Sequence, residues 1–318
     1  MLDLAAAASR SWGLVSASIT LVAQRENITF KISTSVGQHY ALRLHRPGYH
    51  QLPQLEAELQ WLQYLFEQGI AVPEPVTSLE GCLIELVDGY YVSVLQWLNG
   101  LPMGQSGKPL QLKQGEQVFY TLGQSMAELH AASDKWAGAS KLARPHWDVD
   151  GLLGDNPLWG VFWQNPALTT AQKTLFEATR HCLKAKLEEC SSDLDYGLVH
   201  ADLVRENIML HKHEMQLIDF DDSGFGFRLF ELATCLLANA NEPNYDVLKT
   251  QLIAGYHSVR PLDITHLQSF MLIRALTYVG WIVPRMHEQG GLERCQRFIL
   301  RAQNLSENFL HLEHQSIQ

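Results

Sequence analysis

The sequence predicts an α+β fold in two lobes, a small β-rich N-terminal lobe over residues 1–98 and a larger, mainly helical C-terminal lobe over residues 99–318. Three observations predict it. Short runs of β-branched and aromatic residues crowd the first hundred positions. Beyond residue 114 the apolar residues recur at helical spacing instead. Between the two regimes lies "NGLPMGQSGKP" (99–109), rich in Gly and Pro.

The first strands are "NITFKIS" (27–33) and "HYALRLH" (39–45), joined by "TSVGQ", where Gly37 suits a hairpin turn. "LEAELQWLQYLFEQG" (55–69) sets apolar residues at 55, 59, 62 and 66 on one helical face, and Gly69 fits the residue that ends a helix. "VPEPV" breaks the pattern. "CLIELV" and "YYVSVLQWL" then read as strands around the turn Asp88-Gly89. Amphipathic helices follow at 115–133, 169–189, 228–240 and 264–286. Inside that helical half lies another hairpin, in "HADLVRENIMLHKHEMQLIDFDD" (200–222), with His211 and His213 flanking Lys212 at its tip. The lobe boundary falls near residues 96–100, and a cleft between lobes is a favoured ligand site.

The chain has 318 residues, ample for a sizeable core. Its 24 Lys and Arg against 34 Asp and Glu leave a net charge of −10, which argues against a sequence-independent nucleic-acid binder and against docking on anionic membranes. Cationic or zwitterionic small partners suit that balance better. Five cysteines, Cys82, Cys182, Cys190, Cys235 and Cys295, are scattered with no C-x-x-C pair, so neither a disulfide framework nor a zinc ribbon is expected. The opening "MLDLAAAASRSWGLV" lacks a basic stretch and a long apolar core, and no run approaches the ~18 apolar residues of a membrane span. A cytoplasmic protein is the expectation.

Asp202, Asn207 and Asp219 stand around two short apolar runs that read as strands. Singly, each could be a turn former or a strand cap. Together they are harder to explain that way. Asp202 precedes Asn207 by five positions and Asp219 sits at the exit of the second strand, so both strand ends can face one spot. Phosphoryl transfer needs a carboxylate to take or orient the acceptor hydroxyl's proton, and hard oxygen donors to hold Mg²⁺ on the nucleotide phosphates. In that reading Asp202 is the base, Asn207 and Asp219 hold the metal, and His200 braces the loop through backbone or through Asp219. A zinc cluster of His200, Asp202, His211 and His213 is disfavoured, because His211 and His213 belong to a solvated hairpin tip. With no G-x-S-x-G elbow, a serine hydrolase has no support.

"LVHADLVRENIML…LIDFDDSGFGFRLFELA" resembles the catalytic and metal loops of the aminoglycoside phosphotransferase and choline kinase family, relatives of the protein kinases. His200, Asp202 and Asn207 match its H-x-D-x-x-x-x-N; Asp219, Phe220 and Asp221 match its metal-binding Asp with the aromatic and acid that follow. The resemblance covers most of the chain. It implies a protein-kinase-like fold, ATP and Mg²⁺ as cofactors, and transfer of the γ-phosphoryl group to a hydroxyl. "ENITFKIS…HYALRLHRPGY" is similar to the family's first hairpin and phosphate-contacting third strand, and "LQWLNG" to the linker that bonds adenine through its backbone. Cofactor contacts are thereby implied for Arg43, Asn27, Gln96 and Leu98. No G-x-G-x-x-G is present, so the turn "AQRENI" (23–28) must serve as the nucleotide loop.

Arg43 stands where a kinase usually has Lys. Strand alternation puts Ala41, Arg43 and His45 on one face, so Arg43 either enters the cleft or faces solvent on an edge strand. Arg binds phosphate bidentately but is bulkier and planar. Its carboxylate partner is expected to be Glu58, which borders the buried stripe of its helix, with Glu56 as the alternative. "RPHWDVDGLLGDNPLWGVFW" and "RALTYVGWIVPRM" are similar to a bacterial branch near homoserine kinase-like and stress-response kinase-like members.

Only Asp221 to Arg228 separates the metal loop from the next helix, a small platform for a peptide. That favours a small hydroxyl acceptor (amino alcohol, sugar or aminoglycoside-like) over a protein Ser/Thr kinase. A nucleotide-binding pseudokinase is the other alternative, to which Arg43 alone leans. For the acceptor, Trp147, Trp159 and Trp163 offer a cation cage, Asp148, Asp150 and Asp155 offer charge nearby, and Arg144 could meet a carboxylate. Glu231 is expected to brace the segment after Asp219.

Overall fold

A computed structural model describes residues 1–14, 18–24, 27–212 and 214–316. Helix α1 (Leu2–Ser9) opens the chain, followed by strands β1 (Ser18–Gln24), β2 (Asn27–Ser33) and β3 (His39–His45), helix α2 (Leu52–Glu67), and strands β4 (Pro75–Val76), β5 (Ile84–Val87) and β6 (Tyr90–Gln96). They form one antiparallel sheet in the order β1-β2-β3-β6-β4, with β5 also paired to β6. The sequence pattern misses β1 because the strand is mostly solvent-exposed and carries no alternation of buried and exposed residues. Helix α1 is missed too, its buried residues being the small Ala5, Ala8 and Ser9. Helix α2 begins three residues before the apolar stripe: Gln51 and Gln54 form a capping box and Pro53 lies in the first turn. Gly69, at φ +79°, follows its end.

The C-terminal part contains β7 (Leu101–Pro102), α3 (Gly115–Asp134), β8 (His146–Trp147), α4 (Val149–Leu153), α5 (Thr170–Cys190), β9 (Tyr196–Val199), β10 (Ile208–His211), β11 (Glu214–Leu217), β12 (Gly224–Phe227), α6 (Arg228–Asn239), α7 (Tyr245–His257), α8 (Leu267–Trp281) and α9 (Gly291–Ser316). Two small sheets lie among the helices, ordered β11-β10-β7 and β8-β12-β9. Helix α8 stops at Trp281, earlier than the apolar pattern implies. Pro284 has no N–H and restricts Val283, so the chain continues as a 3₁₀ turn, Val283–Arg285. Helices α3 and α7 cross so closely that a Cβ on Gly123 would strike the Leu252 carbonyl. Among the described residues no helix is long and apolar enough to cross a membrane.

Buried side chains form two clusters. The smaller packs Ala5, Ala8 and Trp12 against Phe30, Ile32, Leu42, Leu44, Val92 and Val94 on one face of the sheet. The larger runs through the helical part and takes in Leu59, Trp61, Leu62 and Leu65 of α2. Trp61 Nε1 donates to Ser133 Oγ at 3.0 Å, and Tyr64 OH to the Ala132 carbonyl at 3.0 Å. Helix α2 therefore belongs to the small lobe by sequence and is anchored on the large one by packing. On the other face of the sheet Arg43 reaches Glu58 of α2 and Asp221.

Candidate active site

The catalytic loop leaves β9 through Ala201, whose φ of +65° is costly for a residue with a Cβ. Glu231 on α6 holds that turn. Its Oε1 accepts from the His200 amide at 3.0 Å and its Oε2 from the Ala201 amide at 2.7 Å, and His130 Nε2 lies 3.4 Å from Oε1. Glu231 thus braces the catalytic loop, not the segment after Asp219. His200 is fully buried against Phe220, ring centroids 4.4 Å apart. Its Nδ1 accepts from the Asp202 amide at 3.3 Å, so Nε2 carries the proton given to the Ile218 carbonyl at 2.8 Å. The ring ties the catalytic loop to the metal loop by backbone, and does not bond Asp219.

Asp202 keeps 24 % of its side chain exposed. Arg274 Nη2 donates to its Oδ1 at 2.7 Å, and Asn207 Nδ2 to its Oδ2 at 3.1 Å and to its carbonyl at 2.9 Å. Because that amide nitrogen is occupied, Asn207 offers its oxygen elsewhere. Asp219 sits in the left-handed region, φ +67°, and is solvent-exposed. Partial loss of solvation around its carboxyl pushes it upward, with Asp221, Asp202 and Glu58 adding to the rise and Arg43 opposing it. Two oxygen donors on a crowded acidic floor suit Mg²⁺, which takes one or two protein ligands and fills its octahedron with phosphate and water. Among the described residues no group of three or more His, Cys, Asp and Glu could hold a metal ion. His213 lies outside the described residues.

Above this floor Arg43 is buried, not exposed on an edge. Its Nη1 donates to Glu58 Oε1 at 2.6 Å and its Nη2 to Asp221 Oδ1 at 3.3 Å. Glu56, the alternative partner, is solvent-exposed. Burial works against the Arg43 charge, but Glu58 and Asp221 more than offset it and raise its proton affinity. Asn27 Nδ2 donates to the same Asp221 oxygen at 3.0 Å, which fastens the sheet to the metal loop. The turn "AQRENI" contains Arg25 and Glu26, which lie outside the described residues. In the linker, the Gln96 amide already donates to the Glu74 carbonyl at 2.8 Å and the Trp97 amide to His39 at 3.0 Å. Those two N–H groups are not open to adenine; Leu98 is the first residue past the ladder.

Several acceptor-side expectations are corrected. Arg144 is fully enclosed and donates to the carbonyls of Gln54, Phe220, Asp221 and Ser223, clamping the metal loop to α2. Asp148 caps α4 through the Gly151 amide, Asp150 pairs with Lys184 and Asp155 with Arg180. Trp163 stacks on Arg180, and Trp147 is buried with its Nε1 on the Asp222 carbonyl. Of the three tryptophans, Trp159 adjoins the site: it covers Arg274 at 4.2 Å and donates to Asp222 Oδ1 at 3.3 Å. Burial, with Asp202 and Asp221 nearby, drives the Asp222 carboxyl well above the usual range. Sequence reasoning singled out neither Arg274 nor Asp222. The available signals were the acid doublet after Phe220 and a lone cation in the apolar run "FMLIRALTYVGW".

The buried imidazoles predict an acid limit. Burial, then the Arg43 charge, lowers His45 to about 4, and burial also lowers His130 and His200. In the unfolded chain such rings titrate near 6.5. Their stabilisation is therefore complete above that pH and is lost as pH falls from about 6.5 toward 4. Denaturant midpoints should drop across that window, and His45→Asn should flatten the slope by up to ~1.4 kcal/mol per pH unit. An unchanged slope would remove His45 from the account.

Residues 18–262 match the phosphotransferase enzyme family. The solved structure of a microcompartment-associated aminopropanol kinase superposes with a TM-score of 0.85 at 28 % identity, covering 98 % of each chain. A homoserine kinase of Methylobacterium nodulans is 29 % identical over 256 residues, 78 % of this chain and 73 % of that protein. An amicoumacin kinase solved with AMP-PNP, Ca²⁺ and Ami shares the fold, with a TM-score of 0.74 at 20 % identity over 90 % of this chain and 88 % of the other. With the catalytic and metal loops joined under a kinase-like sheet, the chain belongs to the phosphotransferase enzyme family and is a small-molecule kinase.

Proposed function

We propose that this protein transfers the γ-phosphoryl group of Mg·ATP to the hydroxyl of a small amino alcohol. The carrying observation is Asp222, a carboxylate held by Trp159, where burial and the nearby Asp202 and Asp221 charges disfavour its ionised form by more than Arg274 and Trp159 offset, so that a further cation would favour it. An acceptor ammonium is such a cation. With the ammonium at Asp222, a hydroxyl a few bonds away comes within reach of Asp202. The likeness to an aminopropanol kinase supports the same class. Residues 1–98 form the nucleotide lobe in this reading, with adenine against Leu98 and phosphates under Arg43, which Glu58 orients. Residues 99–318 form the catalytic and acceptor lobe. Asn207 and Asp219 hold Mg²⁺, which when bound neutralises phosphate charge. Asp202 orients the hydroxyl for in-line attack and takes its proton; most of the acceleration is placement. Five free cysteines suit a cytoplasmic setting.

A homoserine-like acceptor would also need a cation for its carboxylate. Arg144 is enclosed among backbone carbonyls and Arg274 is fully buried beneath Trp159, so neither is open to it. A peptide acceptor is disfavoured because β12, the segment after the metal loop, is hydrogen-bonded on both edges. The test measures ADP release from Mg·ATP with 1-amino-2-propanol, ethanolamine, choline, homoserine, 1,2-propanediol, an aminoglycoside and a generic peptide. A primary amino alcohol should outperform the diol, and Asp222→Asn should raise its KM by about tenfold or more with the KM for ATP unchanged, tenfold corresponding to 1.4 kcal/mol. Equal use of the diol, or preference for homoserine, would overturn this acceptor.

A further inference from the structure

Arg274 projects from α8, is 0 % exposed, and reaches Asp202 from 72 positions away in sequence. Its guanidinium carbon lies 4.2 Å from the Trp159 ring centroid, 4.5 Å from Tyr278 and 5.2 Å from Phe230. Nη2 donates to Asp202 Oδ1 at 2.7 Å and to Tyr278 OH at 3.1 Å. Nε and Nη1 are buried without a hydrogen-bond partner among the described residues. That combination is costly if packing is the purpose. A Leu or Met would fill an aromatic nest without burying a charge or leaving two N–H groups unmet. What an apolar side chain could not do is grip one oxygen of Asp202.

We infer that Arg274 is the positioning residue of the base, acting on phosphoryl transfer through its grip on Asp202. With Asn207 on Oδ2, it fixes the carboxylate at both oxygens, so the side chain cannot rotate about its Cβ–Cγ bond and the face left toward the cleft is constant. The aromatic nest holds the guanidinium itself, since a planar cation between rings has little freedom to swing. An acceptor hydroxyl then meets a base already aimed, which is where a small error in placement becomes a large loss in rate. Lys cannot reproduce this: it is a point charge on a flexible stem and does not stack as a plane.

This rests on the phosphotransferase reading, and the test separates the two. Wild type, Arg274→Met, Arg274→Lys, Asp202→Asn and Asp202→Asn/Arg274→Met are compared with 1-amino-2-propanol and Mg·ATP, and again with water as the acceptor by slow ADP release. If wild type is silent on the amine but hydrolyses Mg·ATP, the acceptor is wrong and the water series still decides Arg274. Arg274→Met should melt near wild type and keep the KM for ATP, while kcat falls by about ten- to hundredfold, the usual loss when a group that orients an active residue is removed. Free guanidinium should restore part of the Met variant's rate; Arg274→Lys should recover little. In the Asp202→Asn background, Arg274→Met should have no further effect on kcat. Additive losses, a kcat within twofold of wild type, or a deficit explained by the unfolded fraction would each overturn the inference. If Arg274→Met does not fold, the lysine variant carries the decision: a lysine variant with full kcat refutes it.

Discussion

Asp202→Asn is expected to bind Mg·ATP within about twofold of wild type and to turn over about a thousandfold more slowly, within the range attributed to a positioned general base. The substitution keeps size and shape but removes the charge and the proton-accepting oxygen. It also disturbs the carboxylate's surroundings. Arg274 and Asn207 both present N–H groups, one to each oxygen, so whichever way the new amide turns, its NH₂ faces a donor. Arg274, fully buried, loses its carboxylate partner. Breaking a buried pair from one side costs about 3–5 kcal/mol, an upper figure here because Asp202 is partly solvated. Rates should therefore be taken well below the variant's melting temperature, with the folded fraction measured alongside. A variant that turned over within tenfold of wild type would take Asp202 out of the chemistry.

The second large effect belongs to Asp219. The substitution to use is Asn, because the residue lies at φ +67°, where Asn and Asp are tolerated and Ala is strained. Asp219→Asn should weaken Mg·ATP binding by about a hundredfold, the upper end of what lost support of a metal site costs. The nucleotide-free protein should not be destabilised. Asp202, Asp219, Asp221 and Asp222 converge on one floor, and removing one charge relieves repulsion among the rest. Thermal melts with and without Mg·ATP separate these effects: the ligand-induced rise in melting temperature should largely vanish while the ligand-free melting point holds or increases. An undiminished rise would show that Asp219 holds no metal.

The legible parts of this protein are those whose geometry is local. Asp202, Asn207 and Asp219 lie within one hairpin, so spacing places them together before anything else is known. Glu58 is legible in part: the 3.6-residue repeat sets it at the border of the apolar stripe and favours it over Glu56, and packing decides between them. Arg274 and Asp222 are a different case. Arg274 meets Asp202 only because α8 packs across the C-terminal core, and a single cation in an apolar helix gives no hint of its partner. Arg144 illustrates the converse. Its type suits a substrate carboxylate, yet its surroundings are four backbone carbonyls that no pattern in its own segment announces. Strand β1 is obscured for a plainer reason: alternation records a buried face, and this strand has hardly any.

Strand β12 carries one more consequence. It pairs with β8 on one edge and β9 on the other, and a Cβ on Gly226 would come within 2.9 Å of both Trp147 Cβ and Val199 Cγ2. The stretch just past the metal loop is thus a central strand, pinned on both edges. Rearranging this segment is therefore a poor way to switch the site off, and any control of turnover has to act elsewhere.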